Sequence, residues 1–295
     1  MKVVIYIIIL SVVGILALYF LFTHLVQRLF SLPHIANSKK PEDYGITNYN
    51  DLRIDTVDHK KIQIWDINPN GKAATIFAIH GWANTAEKFF PIAKVLSEKY
   101  RVILVNSRNH GESDTADYST IINFKDDLSA AIDHFKSDNK TVIMGHSLGG
   151  SASLLTASLR QDIDGVVVIA SFADLEKYMR AKFLKGKMPK MFITSMINYV
   201  EIHSQIHMKE VSPVNTIKKI KAPVLLAYGT KDETVDYDDC NKIIEAAGKK
   251  KNTELISMEG HSHSSLLDDP FLADKINEFI EKNVFKEINN EVLEN

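Results

Sequence analysis

Residues 141–150 read TVIMGHSLGG, and much of the architecture can be worked out from this stretch. Its first four residues are β-branched or apolar, as in a strand buried on both faces, and a helical pattern begins at Leu148. Between them, G-x-S-x-G requires a turn too sharp for side chains at Gly145 and Gly149. Such a turn holds a serine hydroxyl, here that of Ser147, exposed above the sheet. The three fixed positions alone would occur by chance in roughly one chain of this length in ten, so the surrounding pattern must support the interpretation.

On both sides of this stretch, short β-branched runs alternate with amphipathic segments. Eight strands are predicted, the first two as an antiparallel pair: 52–57, 61–67, 74–79, 102–105, 141–144, 166–169, 224–227 and 253–257. Helices are predicted at 85–99, 120–137, 148–160, 238–249 and 271–285. This alternation predicts an α/β fold with a mainly parallel eight-stranded sheet flanked by helices.

A nucleophilic serine needs an adjacent base and a group that orients the base, and candidates follow in the chain order serine, acid, histidine. Asp232 lies in the segment YGTKDETV, which begins directly after the predicted strand 224–227. Its carboxylate would orient an imidazole and stabilise the protonated form. Glu233 and Asp236 belong to the same loop and remain alternatives.

The base is predicted in the segment EGHSHSSL, which follows the last strand and contains two histidines. A glycine three positions before the base, the spacing G-x-x-H, selects His263. A tighter G-H spacing selects His261, which remains the alternative base. The histidine that does not act as base is expected to line the pocket.

Acyl transfer also requires hydrogen-bond donors that point at the oxyanion formed in the transition state. Two backbone N–H groups are predicted to form this oxyanion hole. One belongs to Leu148, which follows the serine at the start of its helix, and the other to Trp82 in the segment HGW after the third strand. Gly81 would let that segment turn sharply beneath the substrate.

Taken together, these motifs resemble those of the α/β-hydrolase superfamily over residues 51–285. HGW, GHSLGG and GTKDETV match its motifs, and NSRNHGES at 106–113 resembles its arginine-glycine-serine loop, with Asn109 where glycine is usual. Arg108 in this loop is expected to brace loops rather than touch substrate. The lead into Asp232, SPVNTIKKIKAPVLL, is similar to that of small-cap esterases, monoacylglycerol lipases and related serine peptidases. The resemblance implies a serine hydrolase, and no cofactor or metal site is predicted.

The connection between the sixth and seventh predicted strands, 172–222, is far longer than one crossover helix requires. It is rich in methionine and aromatic residues, and we predict a helical cap insertion at about 172–212. Its basic side chains are Lys177, Arg180, Lys182, Lys185, Lys187 and Lys190. Such a run is usually a solvated face, but beside apolar cap residues it also suggests contact with an anionic lipid surface.

Residues 3–22 contain no charged side chain and, as a helix, would be roughly 30 Å long, the thickness of the hydrocarbon core of a bilayer. We predict a single-pass transmembrane anchor at residues 1–23, a neck at 24–50, the hydrolase domain at 51–288 and a C-terminal tail at 289–295. A cleaved signal peptide is the alternative, although its apolar region usually runs only about 7 to 15 residues. Basic residues on the two flanks nearly balance, so the side of the membrane stays open.

The composition limits the remaining functions. The 295 residues carry 35 basic and 37 acidic side chains, and this net charge of −2 lacks the basic footprint of a nucleic-acid-binding protein. The single Cys240 permits no internal disulfide, and His203 and His207 have the spacing of zinc ligands without a third ligand nearby.

The resulting prediction is a membrane-anchored enzyme that cleaves carboxylic esters, with a small acyl ester or a lipid-like ester as substrate. A serine peptidase, thioesterase or acyltransferase would use the same residues. A non-catalytic binding protein of the same fold is the alternative from a different class, because the fold alone does not establish activity.

Overall fold

The computed structural model describes residues 1–31, 33–71, 73–204, 206–248 and 252–285. Within them, eight strands form one sheet in the order β1-β2-β4-β3-β5-β6-β7-β8. The strands are β1 Tyr49–Asp55, β2 Lys61–Ile67, β3 Ala74–Ile79, β4 Arg101–Val105, β5 Lys140–His146, β6 Gly165–Ile169, β7 Val224–Gly229 and β8 Thr253–Met258. β2 pairs antiparallel with β1 and β4, and the remaining neighbours pair in parallel. The predicted mainly parallel sheet of eight strands is confirmed.

Helices cover both faces of this sheet, which explains why the central strands are almost wholly apolar. The flanking helices are α2 Phe90–Leu96, α3 Ile121–His134, α4 Leu148–Leu159, α9 Asp238–Ala247 and α10 Pro270–Phe279. Residues of α3, α4 and α9 pack in one hydrophobic core, and those of α2 and α10 pack in the core on the opposite face. Every side chain of β3 and β7 is buried between these two layers.

In the described residues, four α-helices interrupt the alternation between β6 and β7, where the cap is predicted, and we refer to these helices below as the cap. They are α5 Leu175–Lys185, α6 Lys190–Ser204, α7 Met208–Val211 and α8 Pro213–Thr216. A third hydrophobic cluster joins α5, α6 and α7 to the N-terminal helix α1, Lys2–Phe30. Its buried members are Val26, Met179, Ile193, Met196, Ile197 and Met208, which we call the α1–cap cluster.

The N-terminal helix α1, Lys2–Phe30, is long and apolar enough to cross a bilayer, with a mean hydropathy of 2.9 in its most apolar part. It continues well past Phe22, where the apolar run ends. The extension is amphipathic: Val26, Leu29 and Phe30 recur at helical spacing and pack against the cap. Burial of this face explains why the helix does not stop at the end of the apolar run.

The segment between α1 and β1 lies against the hydrolase core. Ile35 forms a parallel bridge with His110, and a 3₁₀ turn at Pro41–Tyr44 precedes β1. The predicted C-terminal tail at 289–295 and the predicted domain end at 288 lie outside the described residues.

Candidate active site

The G-x-S-x-G turn joins β5 to α4 and holds Ser147 in a backbone conformation that residues other than glycine rarely adopt. Its φ is 54° and its ψ is −118°, a strained arrangement that persists only where the surroundings fix it. A Cβ at Gly145 would lie 2.1 Å from the carbonyl oxygen of Gly149, and a Cβ at Gly149 would lie 2.3 Å from that of Ile79. The two glycines therefore provide the space that this turn needs.

Asp232 and His263 meet beyond the carboxyl ends of β7 and β8. His263 Nδ1 lies 2.7 Å from Oδ2 of Asp232, whose side chain is fully buried. The other carboxylate oxygen accepts hydrogen bonds from the backbone N–H groups of Thr234 and Val235, at 2.8 and 2.9 Å. Burial would raise the pKa of the Asp232 carboxyl, but the hydrogen bonds, led by that of His263, lower it below its usual value. An ionised carboxylate here can stabilise an imidazolium.

Ser147 and His263 line the same cavity. Among the described residues, no hydrogen bond joins Ser147 Oγ to the imidazole, and in structures without substrate such bonds are often long and tighten only on binding. The main-chain carbonyl oxygen of His263 lies 2.8 Å from Nε2 of His146, the residue before the serine. The serine turn and the histidine loop are thus already in contact.

His261 occupies a different environment from His263. Its Nε2 lies 3.0 Å from Oδ2 of Asp269, and its Nδ1 lies 3.3 Å from the hydroxyl of Ser265. Contrary to the expectation that the second histidine would line the pocket, His261 is absent from the described lining of the cavity. The loop after β8 places the two histidines beside different carboxylates, that of Asp269 for His261 and that of Asp232 for His263.

Trp82 and Leu148 both border the cavity beside Ser147. Leu148 is the first residue of α4, so its N–H group has no acceptor inside the helix. The segment that carries Trp82 passes close to the serine, because a Cβ at Gly81 would lie 3.1 Å from the Cβ of Ser147. Both backbone segments therefore lie beside Ser147 at the cavity.

The cavity has a volume of about 480 Å³, and most of its lining is apolar. Leu29 and Phe30 of α1 form part of its wall, together with residues of the cap such as Met179 and Phe183. Lys182 of α5 also borders it. Sequence reasoning did not identify Leu29, Phe30 or Lys182 as site residues. The spacing of Val26, Leu29 and Phe30 was the available signal, because it marks an apolar helix face that needs a partner.

The loop after β4 is fixed by a buried ion pair beneath the site. Arg108 does not reach the cavity; its guanidinium Nη2 lies 2.7 Å from Oδ1 of Asp127 on α3, and both side chains are almost inaccessible. Burial would lower the pKa of Arg108, but the hydrogen bonds and the charge of Asp127 raise it. The backbone N–H of Ser107 in the same loop bonds to Nε2 of His80, two residues before Trp82.

Other reactive side chains lie outside this arrangement. Among the described residues, no group of three or more His, Cys, Asp or Glu side chains could hold a metal ion. Nδ1 of His203 lies 2.8 Å from the carbonyl oxygen of Tyr199 on its own helix. Cys240 is buried, and burial raises the pKa of its thiol, which disfavours the reactive thiolate.

Three buried histidines near the site predict that the protein loses stability in mild acid. Burial lowers the pKa of His110 and of His146 to about 4, and that of His80 well below its usual value. The unfolded chain binds protons on these imidazoles below about pH 6.5, whereas in the folded protein His110 and His146 do not do so until about pH 4. Unfolding therefore takes up protons, and the stability that is present above pH 6.5 falls as the pH drops toward 4.

We expect the free energy of unfolding to fall by about 1 kcal/mol for each of His110 and His146 between pH 6.5 and 5.5. Urea unfolding at both pH values, followed in the same detergent, measures this change. The exposed His59→Asn variant is the control and should keep the pH dependence of the wild type. A stability that does not change with pH over this interval would contradict the prediction.

Comparison with known proteins agrees with this architecture. Residues 74–195 match the family model of the α/β hydrolase fold. The AB hydrolase superfamily protein YisY of Bacillus subtilis (strain 168) is 24% identical over 271 residues, covering 77% of this chain and 96% of the relative. The uncharacterized membrane protein YNL320W of Saccharomyces cerevisiae is 25% identical over 248 residues, covering 81% of this chain and 82% of the relative.

Among solved structures, the Pyrococcus furiosus esterase Pf2001 shares the fold with a TM-score of 0.69 at 23% identity, covering 86% of this chain and 98% of that chain. The likeness therefore extends well beyond the segment around the serine. The sheet order, the matched family model and this likeness together show that the chain has the α/β-hydrolase fold.

Proposed function

We propose that the protein is a membrane-anchored serine hydrolase that cleaves carboxylic esters through Ser147, His263 and Asp232. The observation that carries the proposal is the 2.7 Å contact between His263 and the buried Asp232, at a cavity that Ser147 also lines. A serine hydroxyl becomes a strong nucleophile only beside such an oriented base. The esterase among the solved structures of the same fold supports ester chemistry.

The proposed reaction has two stages. In the first, His263 Nε2 accepts the proton of Ser147 Oγ while Oγ attacks the carbonyl carbon, and the N–H groups of Trp82 and Leu148 stabilise the oxyanion. The intermediate collapses with loss of the alcohol, which takes the proton from His263. In the second, His263 deprotonates a water molecule that attacks the acyl-enzyme, and release of the carboxylic acid restores Ser147.

The shape of the cavity favours an ester with a hydrocarbon acyl chain. Its volume of about 480 Å³ and its apolar wall suit an alkyl chain better than a polar peptide. Part of this wall, Leu29 and Phe30, comes from the apolar helix α1. The acyl pocket therefore adjoins the segment that we assign to the membrane, which supports a lipid-like substrate.

The packing of α1 also favours an anchor over a cleaved signal peptide. Val26 is buried in the α1–cap cluster, and Leu29 and Phe30 contact the same cluster. Removal of these residues would expose the methionines of the cap and open the cavity wall. A retained helix keeps both buried, so we propose a single-pass N-terminal membrane protein.

The experiment that tests this function is labelling of the full-length protein with a fluorophosphonate probe, followed by peptide mass spectrometry. We expect the label on Ser147, because a fluorophosphonate reacts only with an activated serine. Ser158, which lies on α4 and does not line the cavity, is the internal control and should remain unlabelled. A label on a different serine, or no label on a well-folded sample, would contradict the proposal and favour a binding protein.

The contribution of α1 to the cavity predicts the acyl-chain preference. Phe30→Ala should lower kcat/KM for p-nitrophenyl decanoate about tenfold and leave p-nitrophenyl acetate within about twofold, because only the long chain loses an apolar wall. Leu25→Ala is the matched control, since Leu25 is an exposed residue of the same helix outside the cavity. Equal losses on both esters would contradict a role of α1 in the acyl pocket.

A further inference from the structure

One cation of the cap borders the cavity, while two of its neighbours on α5 have acidic partners. Lys177 pairs with Asp174, and Arg180 pairs with Glu176. Lys182 instead borders the cavity, and its Nζ lies 4.6 Å from the centre of the Trp82 ring. Among the described residues Lys182 forms no ion pair, and its ammonium lies over the ring of Trp82.

The surroundings of this ammonium group are unusual for a lysine. Lys182 is an exposed residue, yet partial desolvation of its ammonium lowers its pKa. None of the described residues that line the cavity is Asp or Glu, and the carboxylate of Asp232 is fully buried beneath His263. A cation–π contact compensates only part of the lost hydration. The wall of the cavity therefore includes the positive charge of Lys182, which no acidic side chain among the described lining residues neutralises.

The position of Lys182 indicates where such an anion would sit. Trp82 supplies one of the two N–H groups proposed for the oxyanion hole, and the ammonium of Lys182 lies over the indole ring of the same residue. The wall formed by Leu29 and Phe30 is apolar and suits the acyl chain. An anion bound by Lys182 would therefore belong to the alcohol side of the ester.

We propose that Lys182 is a specificity-determining residue that binds an anionic group, such as a phosphate, on the alcohol portion of the ester substrate. The inference rests on the proposed function, and it narrows the substrate class to anionic acyl esters such as acylated glycerol phosphates. An ammonium group at this position provides a charge-assisted hydrogen bond to a phosphate oxygen. It also supplies a charge that a neutral ester does not use.

The alternative is that Lys182 belongs to a basic cap face that rests on an anionic lipid surface, as the lysine-rich sequence suggested. The two roles differ in what they require. Contact with a surface acts only on lipid assemblies, whereas a residue inside the site discriminates between single dissolved molecules. Short-chain esters that remain monomeric in water therefore separate the two roles.

The experiment compares 1-butyrylglycerol 3-phosphate with neutral 1-butyrylglycerol, using the full-length protein in a neutral detergent. We expect wild type to prefer the phosphate ester by about tenfold or more in kcat/KM. Lys182→Met should abolish this preference and leave the neutral ester within about twofold, and Lys182→Arg should retain most of it. Lys185→Met is the matched control, because Lys185 is an exposed lysine of the same helix outside the cavity.

Each other outcome has a distinct meaning. Equal hydrolysis of both esters by wild type, or equal losses in Lys182→Met, would overturn the role of Lys182 and leave the serine hydrolase intact. Stimulation of neutral ester cleavage by inorganic phosphate up to the rate of the charged ester would assign the site to a free anion and overturn an attached group. Hydrolysis of neither ester by a folded wild type would contradict the proposed function itself.

Discussion

Ser147→Ala and His263→Ala are each expected to lower kcat for ester hydrolysis by about 10⁴-fold or more, and the double variant is expected to lose little beyond either single change. Residues that act as one unit give non-additive losses, because removal of the nucleophile leaves the base without a role and removal of the base leaves the serine hydroxyl inactive. Steady-state hydrolysis of p-nitrophenyl butyrate by the four proteins measures this directly.

The control for this prediction is His261→Ala. His261 lies beside Asp269 and Ser265 and does not border the cavity, so its loss should change kcat by no more than about threefold. Thermal unfolding of each variant separates a catalytic loss from a folding defect. If His261→Ala lost activity as strongly as His263→Ala, the alternative base would be favoured. If the double variant lost the product of the two single factors, Ser147 and His263 would be acting independently.

The sheet could be predicted from the sequence because its signals are local. A strand buried on both faces, such as β3 or β7, is a continuous apolar run, and the glycines and loops between these runs mark where each strand ends. Ser147 directly follows such a run, and Asp232 lies in the loop after another. Parallel pairing then brings the carboxyl ends of β5 and β7 to one edge of the sheet without further information.

The choice between the two histidines depended on geometry that no local pattern contains. Both follow β8 within a few residues, and the sequence offered only a spacing rule. In the structure, each histidine contacts a different carboxylate. His263 contacts Asp232, which is distant in the chain, and His261 contacts Asp269, which lies beyond the loop. The roles of Leu29, Phe30 and Lys182 were missed for the same reason, because their positions depend on how α1 and the cap pack together.

Asp127→Ala is expected to destabilise the protein by about 3–5 kcal/mol, although Asp127 touches no substrate. Its carboxylate accepts hydrogen bonds from the Arg108 guanidinium and backbone N–H, from the Ser107 hydroxyl and from Thr56 Oγ1. Without Asp127, the buried Arg108, which is only 2% exposed, loses its closest acidic partner and keeps only the exposed Asp58 at 3.3 Å. For a domain of this size we expect the Tm to fall by about 10 °C.

Thermal unfolding in detergent tests this, with Asp126→Ala as the matched control. Asp126 is the neighbouring acid on α3 and pairs with Lys125 near the surface, so its loss should cost less than about 1 kcal/mol. The double variant Arg108→Met, Asp127→Leu should be more stable than Asp127→Ala, because an apolar pair leaves no charge unpaired. A Tm of Asp127→Ala equal to that of Asp126→Ala would show that the ion pair contributes little.

Asp127→Ala should also lower kcat. This distinguishes an ion pair that positions the active-site loops from one that only stabilises the fold locally. The loop held by Asp127 carries the Ser107 N–H that bonds to His80, and His80 precedes the segment with the Trp82 N–H. A loosened loop would displace the proposed oxyanion donor without altering Ser147, His263 or Asp232. Asp127→Ala that remains folded at low temperature should therefore show a reduced kcat, while labelling of Ser147 persists.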